Sequence, residues 1–191
     1  MASLDGLDLT ALDAHLREIG VARSGELRAE LIAGALRDEV GDGGVAAFLV
    51  WGDPALYDST LRIAARLGES VRVTVIPGLM SPQVLAAAHA IPLNDLGAPF
   101  LVTTGRRLRE EGWPAATDTL VVMLDGDCTF ASLDPTGISI WWGAYVGMEG
   151  QITDHGPLSE AGPRILAARA AARAERGWIM DIYLLRRIPG G

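Results

Sequence analysis

Val50–Thr60 reads V-W-G-D-P-A-L-Y-D-S-T and follows an unbroken apolar run, Val45-Ala46-Ala47-Phe48-Leu49-Val50. A run of that length and composition predicts a buried strand, and Gly52-Asp53-Pro54 ends it sharply. A loop at the carboxyl end of such a strand is where open α/β sheets bind ligands. An ordinary Asp-Pro strand-to-helix turn is the competing reading. The next segment bears on the choice. Val71–Val75 alternates as a second strand and runs into Ile76-Pro77-Gly78-Leu79-Met80-Ser81. Two strands, each closed by a Gly/Pro loop and followed by a helix, predict a βαβα unit.

The flanking sequence extends this pattern. Leu9, Leu12, Leu16 and Ile19 share one face of a first helix, and Leu27, Leu31, Leu36 and Val40 follow with looser helical spacing in a second. Asp42-Gly43-Gly44 stops the second helix. Ser59 is placed to cap a helix through about Leu67, closed by Gly68. Ser81-Pro82 offers an N-cap and a first-turn proline for a helix to about Ala90. Ile91–Pro99 holds two prolines, an Asn, an Asp and a Gly, which marks a domain boundary. The expected domains are 1–95 and 96–191. Beyond the boundary, strands are predicted at Phe100–Val102, Thr119–Leu124, Ile138–Trp142 and Trp178–Leu185, with an alanine-rich helix at Pro163–Glu175.

Composition narrows the function classes. About half of the 191 residues (49%) are apolar, enough for a true core. All sixteen basic residues are arginines, and the net charge is −8, which disfavours nucleic acid as a partner. One cysteine, Cys128, allows neither an internal disulfide nor a zinc cluster and fits a reducing, cytoplasmic setting. No stretch reaches the ~20 apolar residues of a membrane span, and Met1-Ala2-Ser3-Leu4-Asp5 lacks the features of a secretory leader. No metal site is expected. His15 reads as a surface residue, His89 as a helix C-terminal cation or a surface residue, and His155, in Asp154-His155-Gly156, as part of a turn.

G-D-P-x-L-Y followed by V-I-P-G-x-x-S, in this order, resembles the tetrapyrrole methylase family. Asp58-Ser59-Thr60-Leu61-Arg62-Ile63, Thr103-Thr104-Gly105-Arg106-Arg107-Leu108 and Trp141-Trp142-Gly143-Ala144-Tyr145 sharpen the likeness. It runs from roughly Leu27 to Arg187, and points to the branch that methylates precorrin-5 at a ring carbon with loss of the acetyl group. The resemblance implies a two-domain α/β fold. An N-terminal parallel sheet would be joined to a C-terminal mixed sheet with helices, and S-adenosylmethionine would be held between the domains. It also implies a carboxylate-fringed precorrin as substrate and, often in this family, a homodimer. Two alternatives stay open: another precorrin methyltransferase of this fold, and a non-catalytic, truncated cofactor-binding remnant.

By the same resemblance, Trp51, Gly52, Asp53, Leu56, Met80, Ser81, Met123, Leu124, Gly143 and Ala144 line the cofactor. Glycine at 52 and 143 suits a ligand approaching backbone, whereas Met80 and Met123 taken singly read as core. Arg106 and Arg107, at a strand-to-helix junction, are candidates for the substrate carboxylates, with Tyr145 beside them. A solvated first turn is the competing reading for the two arginines. Tyr57 and Asp58 are the catalytic candidates, orienting a water or moving a proton during acetyl loss. Asp58 is equally placed as a helix N-cap.

One departure stands out. The resembled enzymes open with a strand and a loop of the G-x-G-x-G-D type, and no such segment precedes Trp51. The N-terminal sheet is therefore expected to be truncated and short of a strand. A wrongly assigned start, a decayed gene, or a shortened chain that folds alone or as a dimer would each account for this. The first is favoured. On that reading the chain as given binds S-adenosylmethionine poorly, and a longer one restores binding.

Overall fold

The computed structural model describes residues 21–188. The chain divides into two compact units, Met1–Leu79 and Met80–Gly191. The helix expected on Leu9, Leu12, Leu16 and Ile19 lies outside the described residues.

In the first unit, α1 spans Val21–Ala35 and widens into a π turn at Leu36–Val40. Gly41 closes it at φ 69°, and its N–H donates to the Leu36 carbonyl at 2.9 Å. Helix α2, Thr60–Ala64, runs into a 3₁₀ turn, Ala65–Ser70, broken at Gly68. Gly68 adopts φ 71°, a conformation open to glycine at little cost. Ala29 of α1 and Ile63 of α2 are buried.

The two strands predicted for this unit do not form ladders. Val45–Val50 and Val71–Val75 carry no strand, and no strand occurs among the described residues of the unit. Val45 and Leu49 are 82% and 99% exposed. A strand exists through hydrogen bonds to a neighbour, and an apolar run meets the composition requirement without supplying one.

The second unit is a five-stranded mixed sheet in the order β1-β2-β5-β3-β4. Its strands are β1 Leu101–Thr104, β2 Thr119–Met123, β3 Ile138–Ala144, β4 Ile152–Pro157 and β5 Asp181–Arg187. The helices are α3 Ser81–His89, α4 Gly105–Glu111 and α5 Leu158–Arg176. β1 and β2 are parallel, joined through α4, while β5 runs antiparallel to β2 and β3. The C-terminal ends of β1, β2 and β3 therefore meet the N-terminal end of β5 at one edge of the sheet. Thr104 pairs with Met123 there, and Ala144 pairs with Asp181.

The sheet is covered on both faces. Leu120, Val122, Ile140, Trp142, Tyr183 and Leu185 belong to one core cluster, together with Ala161, Ile165 and Ala172 of α5. The spacing of those three places them on one side of the helix. Val121, Ile182 and Leu184 form the other cluster with Leu85 of α3. Burying the Leu85 side chain completely contributes about 2 kcal/mol. Double coverage explains why β2 reads as a continuous apolar run rather than an alternating one.

Several sequence expectations shift. α3 is capped from Met80, not Ser81: the Gln83 Oε1 accepts the Met80 N–H at 2.9 Å, and Ser81 is the first helical residue. Ser59 makes no side-chain cap; instead Asp58 Oδ1 accepts the Thr60 N–H at 2.6 Å. His155 lies in strand β4 rather than a turn. His89 ends α3 as expected but is half-buried there, with Nε2 2.9 Å from the Trp142 carbonyl oxygen. Ile91–Pro99 lies within the second unit, where Arg186 Nη2 donates to the Pro92 and Leu93 carbonyls at 3.0 and 3.1 Å.

Candidate cofactor site

The G-D-P loop and the Pro-Gly turn meet within the first unit. Asp53 Oδ1 accepts the Ala55 N–H at 2.8 Å, folding the loop on itself. Asp53 Oδ2 accepts the Gly78 N–H at 2.9 Å across twenty-five residues of chain. These donated bonds, Gly78 first and Ala55 second, hold the Asp53 carboxyl below its ordinary pKa. The approach depends on glycine. A Cβ on Gly78 would lie under 3.0 Å from the Gly52 carbonyl oxygen, and Gly52 itself sits at φ 83°. Around this contact Trp51, Tyr57, Ile76 and Leu79 are exposed, while Leu56 is half-buried. Tyr57 adopts φ 52°, uncommon for a residue with a side chain.

In the second unit the remaining candidates gather at the sheet edge formed by the ends of β1, β2 and β3. Met123 is half-buried, and Leu124 follows it at φ 54° with its side chain 67% exposed. Gly143 and Ala144 are buried at the end of β3. A Cβ on Gly143 would press on Val146 and Leu85, so this glycine serves local packing. Tyr145 follows at φ 52°, fully buried. Its hydroxyl donates to the Trp178 carbonyl at 2.6 Å, and the Arg176 guanidinium lies 4.5 Å over its ring. Met80 and Ser81, both half-buried, begin α3.

Arg106 and Arg107 occupy the exposed start of α4. Thr104 Oγ1 caps that helix by accepting the Arg107 N–H at 3.3 Å. Arg107 forks onto Glu111 at 3.0 and 2.9 Å. A buried carboxylate underlies this helix start. Asp125 Oδ2 accepts the Thr129 N–H and the Tyr183 hydroxyl, both at 2.6 Å, and Oδ1 accepts the Thr129 hydroxyl at 2.9 Å. A Cβ on Gly105 would fall under 3.0 Å from that carboxyl group.

Sequence reading passed over this network and its neighbour. Arg169 Nε donates to Asp181 Oδ2 at 2.9 Å, and Trp142 Nε1 donates to the same oxygen at 2.9 Å. The partners come from distant segments, and no local pattern joins them. The available signal was Arg169 itself, one turn from Ile165 on the inward side of an alanine-rich helix. Among the described residues no group of three or more His, Cys, Asp or Glu is placed to hold a metal ion. Nor is any helix among them long and apolar enough to cross a membrane.

The turns fit a ligand held chiefly by backbone and apolar surface. They pair a glycine-dependent close approach with exposed apolar side chains at Trp51 and Leu79. The profile of the Tetrapyrrole (Corrin/Porphyrin) Methylases matches residues 5–162. A curated precorrin-6A synthase (deacetylating) from Sinorhizobium sp is 51% identical over 156 residues, 80% of this chain. The chain spans 59% of the length of that relative. A solved structure of a cobalamin synthesis related protein (CobF) from Corynebacterium diphtheriae superposes with a TM-score of 0.80 at 43% identity, covering 90% of this chain and 73% of that one. A uroporphyrin-III-C-methyltransferase from Thermus thermophilus shares the fold, with a TM-score of 0.59 at 21% identity over 85% of this chain and 71% of its own. With its two glycine turns pinned together and most of its length matched by the family profile, the chain belongs to the tetrapyrrole methylases.

Proposed function

We propose that this chain takes part in the S-adenosylmethionine-dependent methylation of precorrin-5 at a ring carbon, with loss of the acetyl group, giving precorrin-6A in cobalamin biosynthesis. The observation that carries the reading is the Asp53–Gly78 contact, 2.9 Å long. It holds two glycine turns in a geometry that any side chain at Gly78 would break. The 51% identity to a precorrin-6A synthase (deacetylating) supports the substrate class.

Trp51, Gly52, Asp53 and Leu56 in the first unit, and Met80, Ser81, Met123, Leu124, Gly143 and Ala144 in the second, are the residues assigned to the cofactor. When bound, that group supplies a methyl carbon made electrophilic by a positive sulfur. The chain's own residues bind, orient and exclude water, and the transfer asks for no buried acid or base. Arg106 and Arg107 meet the substrate carboxylates with planar, always-charged donors. Tyr145, expected beside them for the substrate, is buried with its hydroxyl held by the Trp178 carbonyl, and shapes the adjoining loop. Tyr57 and Asp58 are assigned to orienting water and moving a proton during acetyl loss. The protein works in the cytoplasm as a homodimer, away from nucleic acid.

Incubation with precorrin-5 and S-adenosylmethionine tests the reading by product mass. One methyl gained, one acetyl lost and S-adenosylhomocysteine formed is the expected outcome. A product that gains the methyl and keeps the acetyl would assign the chain to a sister activity. No binding and no product, from this chain and from a longer one alike, would overturn the assignment.

A further inference from the structure

We propose that Arg169 is a positioning residue that locks the tips of β2 and β3 in register with each other, and so shapes the second unit's share of the cofactor site. The inference rests on the cofactor reading of Met123, Leu124, Gly143 and Ala144. Each tip carries a left-handed residue other than glycine: Leu124 at φ 54° after β2, and Tyr145 at φ 52° after β3. Such conformations persist only where the surroundings over-determine them. β5 lies between the two strands, so neither tip supports the other directly.

The Arg169 guanidinium spans that gap. Its Nε donates to Asp181 Oδ2 at 2.9 Å, and its Nη2 reaches Asp181 Oδ1 at 3.5 Å. The same Nη2 donates to the carbonyl of Asp125, the residue directly after Leu124, at 3.4 Å. Asp181 Oδ2 also accepts the Trp142 indole N–H at 2.9 Å, and Trp142 directly precedes Gly143. Asp181 is paired with Ala144 in the ladder, and the Tyr145 N–H donates to the Met180 carbonyl at 2.9 Å. The ion pair is largely shielded from water, with 11% and 8% of its side chains exposed. Shielding strengthens its hold and makes the loss of one partner costly. A planar fork with donors in two directions can serve a carboxylate and a carbonyl together, which an ammonium at the same site cannot do in one fixed geometry.

The test compares Arg169→Lys with Arg173→Lys, an exposed arginine one turn along the same helix. Amide hydrogen exchange and S-adenosylhomocysteine affinity are measured on the full chain. In Arg169→Lys, the Thr129 amide (bonded to Asp125) and the Tyr145 amide (bonded to Met180) are expected to exchange about tenfold faster, the weight of one charge-assisted bond. Val121 and Leu184 in the sheet centre keep their rates, affinity falls by a similar factor, and Arg173→Lys changes neither. If Arg169→Lys does not fold, the charge-neutral pair Arg169→Met with Asp181→Asn is expected to fold with both tips loosened. Loosening at one tip only, a uniform rise across the sheet, or loosened tips with unchanged affinity would each overturn the proposal. If the unaltered chain takes up no S-adenosylhomocysteine, the exchange pattern alone decides the coupling.

Discussion

Replacing Tyr183 by phenylalanine removes one oxygen from the centre of the second unit. That hydroxyl donates to Asp125 Oδ2 at 2.6 Å, and the residue is 1% exposed. The edge-to-face contact of its ring with Phe130, 5.1 Å between centroids, is retained in the variant. Asp125 also keeps the Thr129 N–H and hydroxyl, so the carboxylate is not stranded. The loss is one charge-assisted bond, about 2 kcal/mol at neutral pH. The pH dependence makes the test sharper. Burial first, and the bond to Asp125 second, push the Tyr183 phenol above its ordinary value. A raised folded pKa means that stability is fully present below the unfolded value, near pH 10, and falls as pH rises beyond it. The slope is about 1.4 kcal/mol per pH unit, and the phenylalanine variant lacks it. The two stability curves should therefore converge, with the roughly 2 kcal/mol difference gone by about pH 11.5. The chain has no lysine, and Cys128 is common to both proteins and cancels in the difference. Urea unfolding followed by near-ultraviolet circular dichroism across pH 7–11.5 reads this directly. An offset below about 0.5 kcal/mol at pH 7, or one that stays constant into the alkaline range, would refute the reasoning.

Three further outcomes are expected. Gly78→Ala forces the Gly52 carbonyl away by roughly 1 Å, and should weaken S-adenosylmethionine binding by about 10- to 100-fold while far-ultraviolet circular dichroism is unchanged; Gly126→Ala, with open space around its Cβ, should bind as the parent does. Because the Asp53 carboxyl is held below its ordinary value, its contact with Gly78 should persist at pH 5 and break only as pH falls below about 4, with the Gly78 amide resonance reporting the loss. Gly105→Ala drives a methyl group into the Asp125 carboxyl and should lower the unfolding free energy by about 2 kcal/mol or more, measured by urea titration.

Local chemistry made much of this protein readable in advance. The two glycine turns announced themselves through Gly52-Asp53-Pro54 and Pro77-Gly78, and their family pairing was visible without coordinates. β2, β3, β5 and the alanine-rich helix were legible because buried apolar runs and helical spacing are properties of neighbouring residues. The strands at Val45–Val50 and Val71–Val75 were not decided by the same signal, since a ladder needs a partner that no stretch of sequence supplies for itself. β4 was missed because Asp154-His155-Gly156 carries turn chemistry, yet pairing with β3 overrides it at the sheet edge. Only the tertiary structure showed that Asp53 closes on Gly78, and that Arg169, Asp181, Trp142 and Asp125 form one buried network. Those contacts join segments far apart in the chain. Burial strengthens the network around Arg169, the Asp53–Gly78 bond being exposed, and burial is set by the fold as a whole rather than by any residue's neighbours.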